Sequence, residues 1–192
     1  MTQHHGVPTR LLDWTRSPYV GLYFAVEEPS IEKLETGDFG SSLWAIDGRW
    51  LEEKETELSR PAEIDFRDLS LRAKHLNDVM NRQKTDVPLI VRIDPLETHQ
   101  RIVAQQGLFL CRLKHQATFS QILMTMMIHP TLQNRPVIRR IVVDSSCRIE
   151  FLRKLMEMNI HRASLFPGLD GFGRSLRIEL EMRTSFAAAA QA

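Results

Sequence analysis

The chain has 192 residues, 43% of them hydrophobic, and its 25 basic and 24 acidic side chains leave a net charge of +1. A domain of this length buries roughly 70% of its unfolded surface. The balanced charge gives no overall signal for nucleic-acid binding. Because no apolar run approaches the ~20 residues that span a bilayer and no secretory pattern opens the sequence, we expect a cytoplasmic protein without membrane contact.

The two cysteines, Cys111 and Cys147, are far apart in the sequence. Their spacing matches neither a zinc site nor a disulfide framework. We therefore expect two buried free thiols, which agrees with a reducing compartment.

Residues 3–18 form the stretch with the highest density of reactive side chains. Gly6 and Pro8 allow no regular element across residues 6–8, and residues 9–14 are typical of a short strand or extended loop. Ser17 followed by Pro18 predicts the start of a helix, with a hydroxyl N-cap and proline at the first helical position. The apolar run that follows, residues 19–26, predicts a fully buried helix.

The rest of the chain alternates strand and helix patterns without a regular period. Predicted strands lie at residues 42–46, 87–93, 107–113 and 137–143. Predicted helices lie at residues 49–58, 69–82, 98–105, 118–127 and 169–183, with one more after the capping oxygens of residues 144–146. No glycine-rich phosphate loop follows a strand. These patterns predict an α+β fold with a mixed or antiparallel sheet of about four strands and flanking helices.

Three blocks in this order resemble the FRG domain family of bacteria and phages. The first is Gln-His-His-Gly-Val-Pro-Thr-Arg-Leu-Leu-Asp-Trp-Thr at residues 3–15, followed by Ser17-Pro18 and residues 22–25. The others are residues 101–109 and 164–171. Together with the length, the resemblance implies a single FRG-type domain over residues 1–186. The low-complexity composition of residues 187–192 predicts a disordered tail. The resemblance brings no defined activity with it.

One feature of FRG domains is missing from this sequence. The family's aromatic-Arg-Gly motif lies upstream of the histidine block, and residues 1–192 do not contain it. We therefore expect a domain that is incomplete at its N-terminus and carries half of a site.

A weaker likeness connects the same order of blocks to ADP-ribosyltransferases of the arginine–serine–glutamate type. In those enzymes an Arg-Gly strand precedes a Ser-Thr-Ser strand that leads into a helix, and a glutamate follows late in the chain. Residues 13–18 and then 105–109 have a similar layout here. The likeness implies NAD as ligand or substrate, with glutamine in place of the glutamate, so that the carboxylate charge is lost.

The candidate catalytic residues are His4, His5, Gln105 and Gln106. A histidine near a cleft can serve as general base because its ordinary pKa is about 6.5. Adjacent residues point in different directions, so at most one of the two histidines faces a ligand. The alternatives are a helix cap and a solvated histidine, and glutamines that lie on the surface.

The candidate ligand-binding residues are Arg10, Asp13, Trp14, Thr15 and Ser17. Arg10 can pair with Asp13 or receive a phosphate in a forked geometry, and Trp14 can stack on a flat ring or pack in the core. The Thr15 and Ser17 hydroxyls suit a helix cap, and a capped helix N-terminus also favours anions.

No metal is expected, because these ligand types do not follow a zinc-site spacing. Two functions remain open: part of a nucleotide-binding, NAD-using site, or a non-catalytic module that binds a ligand or a protein. The sequence carries no signal for an oligomeric state.

Overall fold

The computed structural model describes residues 10–30, 39–59, 88–95, 99–114, 116–128 and 136–189. The strands are β1 (Leu11–Thr15), β2 (Gly40–Ile46), β3 (Ile90–Ile93), β4 (Gly107–Arg112) and β5 (Ile138–Asp144). The helices are α1 (Pro18–Val26), α2 (Gly48–Ser59), α3 (Gln100–Ala104), α4 (Phe119–Ile128), α5 (Arg148–Glu157), α6 (Arg162–Leu165) and α7 (Leu169–Ala189). The predicted α+β class is confirmed.

The strands form two small sheets instead of one. One sheet has the order β1-β4-β3, and the other pairs β2 with β5. β3 and β4 run antiparallel, with Ile90 opposite Arg112 and Ile93 opposite Phe109. β2 and β5 also run antiparallel, because backbone bonds join Asp47 to Val137 at one end and Ser145 to Phe39 at the other.

β1 is the segment for which the sequence predicted either a short strand or an extended loop. The Arg112 amide donates to the Arg10 carbonyl at 3.4 Å, and the Arg16 amide donates to the Gln106 carbonyl at 3.0 Å. These bonds show that β1 runs antiparallel to β4. Residues 9–14 alternate poorly between apolar and polar, so their partner strand decides the conformation.

Contacts divide the chain into two compact units. The described residues of the first unit fall within Met1–Asp13, Ile46–Pro95 and Leu108–Ile138. Its buried side chains include Trp50, Ile90, Ile122 and Met126, all at 0% exposure. β3 packs against α2 and α4, and the Ile90 amide lies 3.3 Å from the Met126 sulfur.

The second unit falls within Trp14–Ala45, Leu96–Gly107 and Arg139–Ala192. Its core unites α1, β5, α5, α6 and α7 through eight buried side chains: Val20, Tyr23, Val26, Val143, Leu152, Leu155, Leu165 and Met182. All eight are apolar or aromatic and come from segments far apart in sequence. The cluster therefore depends on long-range packing.

Helix α1 is less buried than predicted. Val20, Tyr23 and Val26 are at most 3% exposed, whereas Tyr19 is 52% and Phe24 is 42% exposed. Side chains three positions apart share one face of a helix, so only that face lies in the core. A segment that is apolar all round does not reveal which face will be covered.

Several boundaries differ from the sequence predictions. α7 continues to Ala189, past the predicted end near Arg183 and into the low-complexity stretch.

Cys111 is buried, but Cys147 is exposed, which corrects the prediction of two buried thiols. The predicted helix at residues 69–82 lies outside the described residues. Of the described helices, none combines the length and apolar character needed to cross a bilayer.

Candidate functional site

The helix start at Ser17 and Pro18 is formed as predicted. Ser17 has the extended backbone of an N-cap, and its hydroxyl accepts from the Val20 amide at 3.3 Å. Its own amide donates to Thr15 Oγ1 at 3.1 Å. Pro18 occupies the first turn, where its missing N–H costs nothing. Both hydroxyls are therefore used to order the entry into α1.

The Thr15–Ser17 turn is joined to the turn that precedes β4. Thr15 Oγ1 donates to the Gln105 carbonyl at 2.7 Å, and the Arg16 amide donates to the Gln106 carbonyl at 3.0 Å. The Thr15–Ser17 turn and residues 105–106 are thus held side by side. We call this pair of segments the junction.

Gln105 extends the connection to a third segment. Its side-chain Nε2 donates to the Leu165 carbonyl at 3.0 Å, at the end of α6. A single residue therefore accepts from Thr15 through its backbone and donates to Leu165 through its side chain. Residues from all three sequence blocks meet here, and the amide of Gln105 braces the fold.

Gln106 is arranged differently from its neighbour. Its φ of 47° lies in the left-handed region, which non-glycine residues seldom adopt. Its side chain is exposed. Among the predicted catalytic residues that the structure describes, Gln106 is the one whose amide faces solvent.

Trp14 belongs to the same unit and is half-buried in β1. Its indole Nε1 is buried and has no hydrogen-bond partner among the described residues. Burying such a donor without a partner costs about 1–3 kcal/mol. The Trp14 ring therefore contributes packing, while its buried N–H lowers the free energy of unfolding.

Arg10 and Asp13 lie in the first unit and do not form an ion pair with each other, which was one of the two alternatives from the sequence. Asp13 is exposed, and no contact among the described residues joins it to Arg10. An odd spacing along extended backbone directs side chains to opposite faces.

Burial raises the pKa of the Cys111 thiol, while the nearby positive charge of Arg10 partly opposes that rise.

The third sequence block is organised around the Phe166 ring. The guanidinium carbons of Arg101 and Arg162 lie 4.6 Å and 3.8 Å from its centroid. The Phe24 ring meets it edge-on, with centroids 5.9 Å apart. A Cβ on Gly171 would overlap the Phe166 carbonyl, so glycine is required there.

A buried polar network lies beside this ring. Tyr23 donates to Glu27 Oε1 at 3.2 Å, and Arg162 pairs with the same carboxylate. The Glu27 and Arg162 side chains are only 10% and 13% exposed. Burial and the negative charge of Glu27 raise the pKa of Tyr23 well above its ordinary value.

Arg148 satisfies the C-terminal end of α1. Its Nε donates to the Val26 carbonyl at 2.9 Å, and its Nη2 donates to the Glu27 carbonyl at 2.7 Å. The same Nη2 lies 3.0 Å from Glu181. The last carbonyls of a helix lack partners within the helix, so this arginine acts as a long-range cap. More than 120 positions separate it from α1, and no local sequence signal points to it.

A charged groove of about 280 Å³ lies in the second unit. It is lined by Ile178 and five charged side chains: Glu27, Glu28, Arg174, Arg177 and Glu181. Arg177 pairs with Glu28 and Glu181, both at 3.3 Å. The three carboxylates of the lining all lie in ion pairs.

Within the described ranges, no group of three or more His, Cys, Asp or Glu side chains is arranged to hold a metal ion. His4 and His5 lie outside the described residues. Of the predicted site residues, the junction contains Thr15, Ser17, Gln105 and Gln106.

The fold and the junction define a small α+β protein with two antiparallel sheets, whose first strand carries three residues of the predicted site, Asp13, Trp14 and Thr15. The family model of the FRG domain matches residues 1–33, and the resemblance to that family is confirmed over this range. The match covers the histidine block, β1 and α1, whereas residues 101–109 and 164–171 lie outside it. Comparison with curated proteins and with solved structures finds no match.

Proposed function

We propose that this chain is a non-catalytic binding module for a small ligand of the nucleotide class, and that the ligand lies at the junction. The support is the division of labour among the predicted site residues. Thr15, Ser17 and Gln105 direct their side chains to backbone groups of the protein. These three residues hold the surface, and other groups contact the ligand.

The side chains of Arg16 and Gln106 are exposed at the junction. The 3.0 Å bond from the Arg16 amide to the Gln106 carbonyl keeps their backbones together, and this bond is the observation that carries the proposal. A guanidinium recognises phosphate, and a glutamine amide can donate to and accept from a ribose hydroxyl or a base edge. A nucleotide contains both types of group. Arg16 was not among the residues predicted from the sequence.

Calorimetric titration with ADP-ribose, NAD and AMP tests this function. Arg16→Gln removes the charge and should weaken binding about tenfold or more, since hydrogen bonds to charged groups contribute about 1.5–3 kcal/mol. Arg139→Gln, at an exposed arginine on β5, is the matched control and should bind as the wild type does. Equal affinity for the wild type and Arg16→Gln would refute the role of the junction.

A second candidate is an NAD-using enzyme of the ADP-ribosyltransferase type. The observation that favours it is the junction itself, because the strand that leads into α1 lies beside the glutamine turn, as the likeness implies. Turnover of labelled NAD separates the two functions. The binding module gives no turnover with the wild type or with Gln106→Glu, which supplies the missing carboxylate. Turnover by either protein that Arg16→Gln abolishes would establish the enzyme.

A further inference from the structure

Helix α7 has apolar side chains on two opposite faces. One face enters the core of the second unit, where Met182 is 7% exposed and Ser175 is 5% exposed. The other face is exposed along several turns, at Leu169 (89%), Phe172 (56%), Leu176 (45%) and Leu180 (62%). Spacings of three and four positions place these four side chains in one row. We call this row the outer stripe.

We propose that the outer stripe is the interface with a second copy of this chain, in which the two α7 helices pack antiparallel about a two-fold axis near Leu176. The exposed apolar surface of the stripe is about 500 Å² per copy, at the upper end of what a typical monomer presents. Two copies bury about 1,000 Å² of apolar side chain before any polar rim is counted. This area reaches the lower limit of specific dimers, with a dissociation constant on the order of micromolar.

The antiparallel direction follows from self-complementarity. With the axis at Leu176, Phe172 of each copy faces Leu180 of the other, and Leu176 meets itself. A parallel pair would place Glu179 against Glu179 and Arg183 against Arg183, and like charges opposite one another are unfavourable. The antiparallel pair separates both.

The charge nearest the axis is already balanced within each copy. Arg177 pairs with Glu28 and Glu181 in its own chain. Glu181 also pairs with Arg148, so each cluster has two positive and two negative charges, and the two Arg177 side chains approach the axis as members of neutral clusters. The proposal is independent of ligand binding at the junction.

Sedimentation equilibrium of the full chain tests the association directly, over about 1–500 µM. The expected result is a monomer–dimer equilibrium. Leu176→Glu places two like charges at the axis and should weaken the dimer at least about a hundredfold, with an unchanged circular dichroism spectrum. Met124→Glu, at a side chain 66% exposed on α4, is the matched control and should still dimerise. A wild type that stays monomeric over the whole concentration range would overturn the proposal. The stripe would then be covered by another protein or by other residues of this chain.

Cysteine crosslinking tests the direction without depending on a destabilising variant. In a Cys147→Ser background, Leu176→Cys should form a disulfide-linked dimer, because the two positions meet at the axis. Leu169→Cys should not, since antiparallel packing separates the two copies of that residue by about 21 Å along the helices, beyond the ~7 Å reach of a disulfide. Efficient crosslinking of Leu169→Cys, or none at Leu176→Cys, would overturn the antiparallel arrangement.

Discussion

Substitution of Gln105 distinguishes a structural from a catalytic role most directly. In Gln105→Ala the 3.0 Å bond from Nε2 to the Leu165 carbonyl is lost, and the partly buried carbonyl keeps no side-chain donor. Loss of a hydrogen bond together with an unsatisfied acceptor costs about 1–2 kcal/mol. For a chain of this length the melting temperature should fall by about 3–6 °C.

The assay is thermal unfolding followed by circular dichroism, with Gln106→Ala as the matched control. Gln106 is exposed and its backbone conformation is equally unfavourable for alanine, so its free energy of unfolding should change by less than about 0.5 kcal/mol. Gln105→Glu should be worse than Gln105→Ala at neutral pH, because a carboxylate cannot donate to the carbonyl, and should recover as the pH falls and the acid protonates. If Gln105→Ala has the stability of the wild type and loses ligand binding instead, the bracing role is refuted.

Substitutions at three further positions test the second unit. The pKa of Tyr23 is raised on folding, so the neutral phenol stabilises the fold below about pH 10, and this contribution is lost as the pH rises above that value. Tyr23→Phe should therefore lose less stability than the wild type at alkaline pH. Urea unfolding measures this, and a free energy of unfolding that changes with pH equally in both proteins would argue against it. Gly171→Ala should destabilise by about 2 kcal/mol or more, because the methyl group meets the Phe166 carbonyl, and a normal denaturation midpoint would show that the turn can relax. Ser17→Ala should cost about 1 kcal/mol through the lost N-cap, while Ser17→Asp should largely retain stability, and equal losses in both would exclude capping as the cause.

Local chemistry was sufficient to predict some elements. The N-cap at Ser17 follows from a hydroxyl before proline. Asp144 was predicted to supply a capping oxygen, and its carboxylate accepts from the Ser146 amide at 2.7 Å, just before α5. These interactions join residues that are at most three positions apart, so the sequence contains the whole of each signal.

Other features depend on partners that are distant in sequence. The separation into two sheets depends on which strand edges meet, and the strand patterns alone do not encode the pairing. Gln105 could be recognised as a candidate from its position before β4, but its role depends on the Leu165 carbonyl, 60 positions away. The apolar composition of α1 likewise does not show which face is covered.

The position of α1 explains the structural role of the Thr15 and Ser17 hydroxyls. Its N-terminus is fixed by Ser17 and Thr15, and its C-terminal carbonyls by Arg148. The Glu27 carboxylate, just past the helix end, is bound by Tyr23 and Arg162. Both ends of one nine-residue helix are thus held by polar side chains, and each bond orders a group that would otherwise lose solvation in the core. Polar contacts at both ends thus fix the position of an apolar helix with one exposed face, and at the junction Arg16 and Gln106 are the exposed side chains.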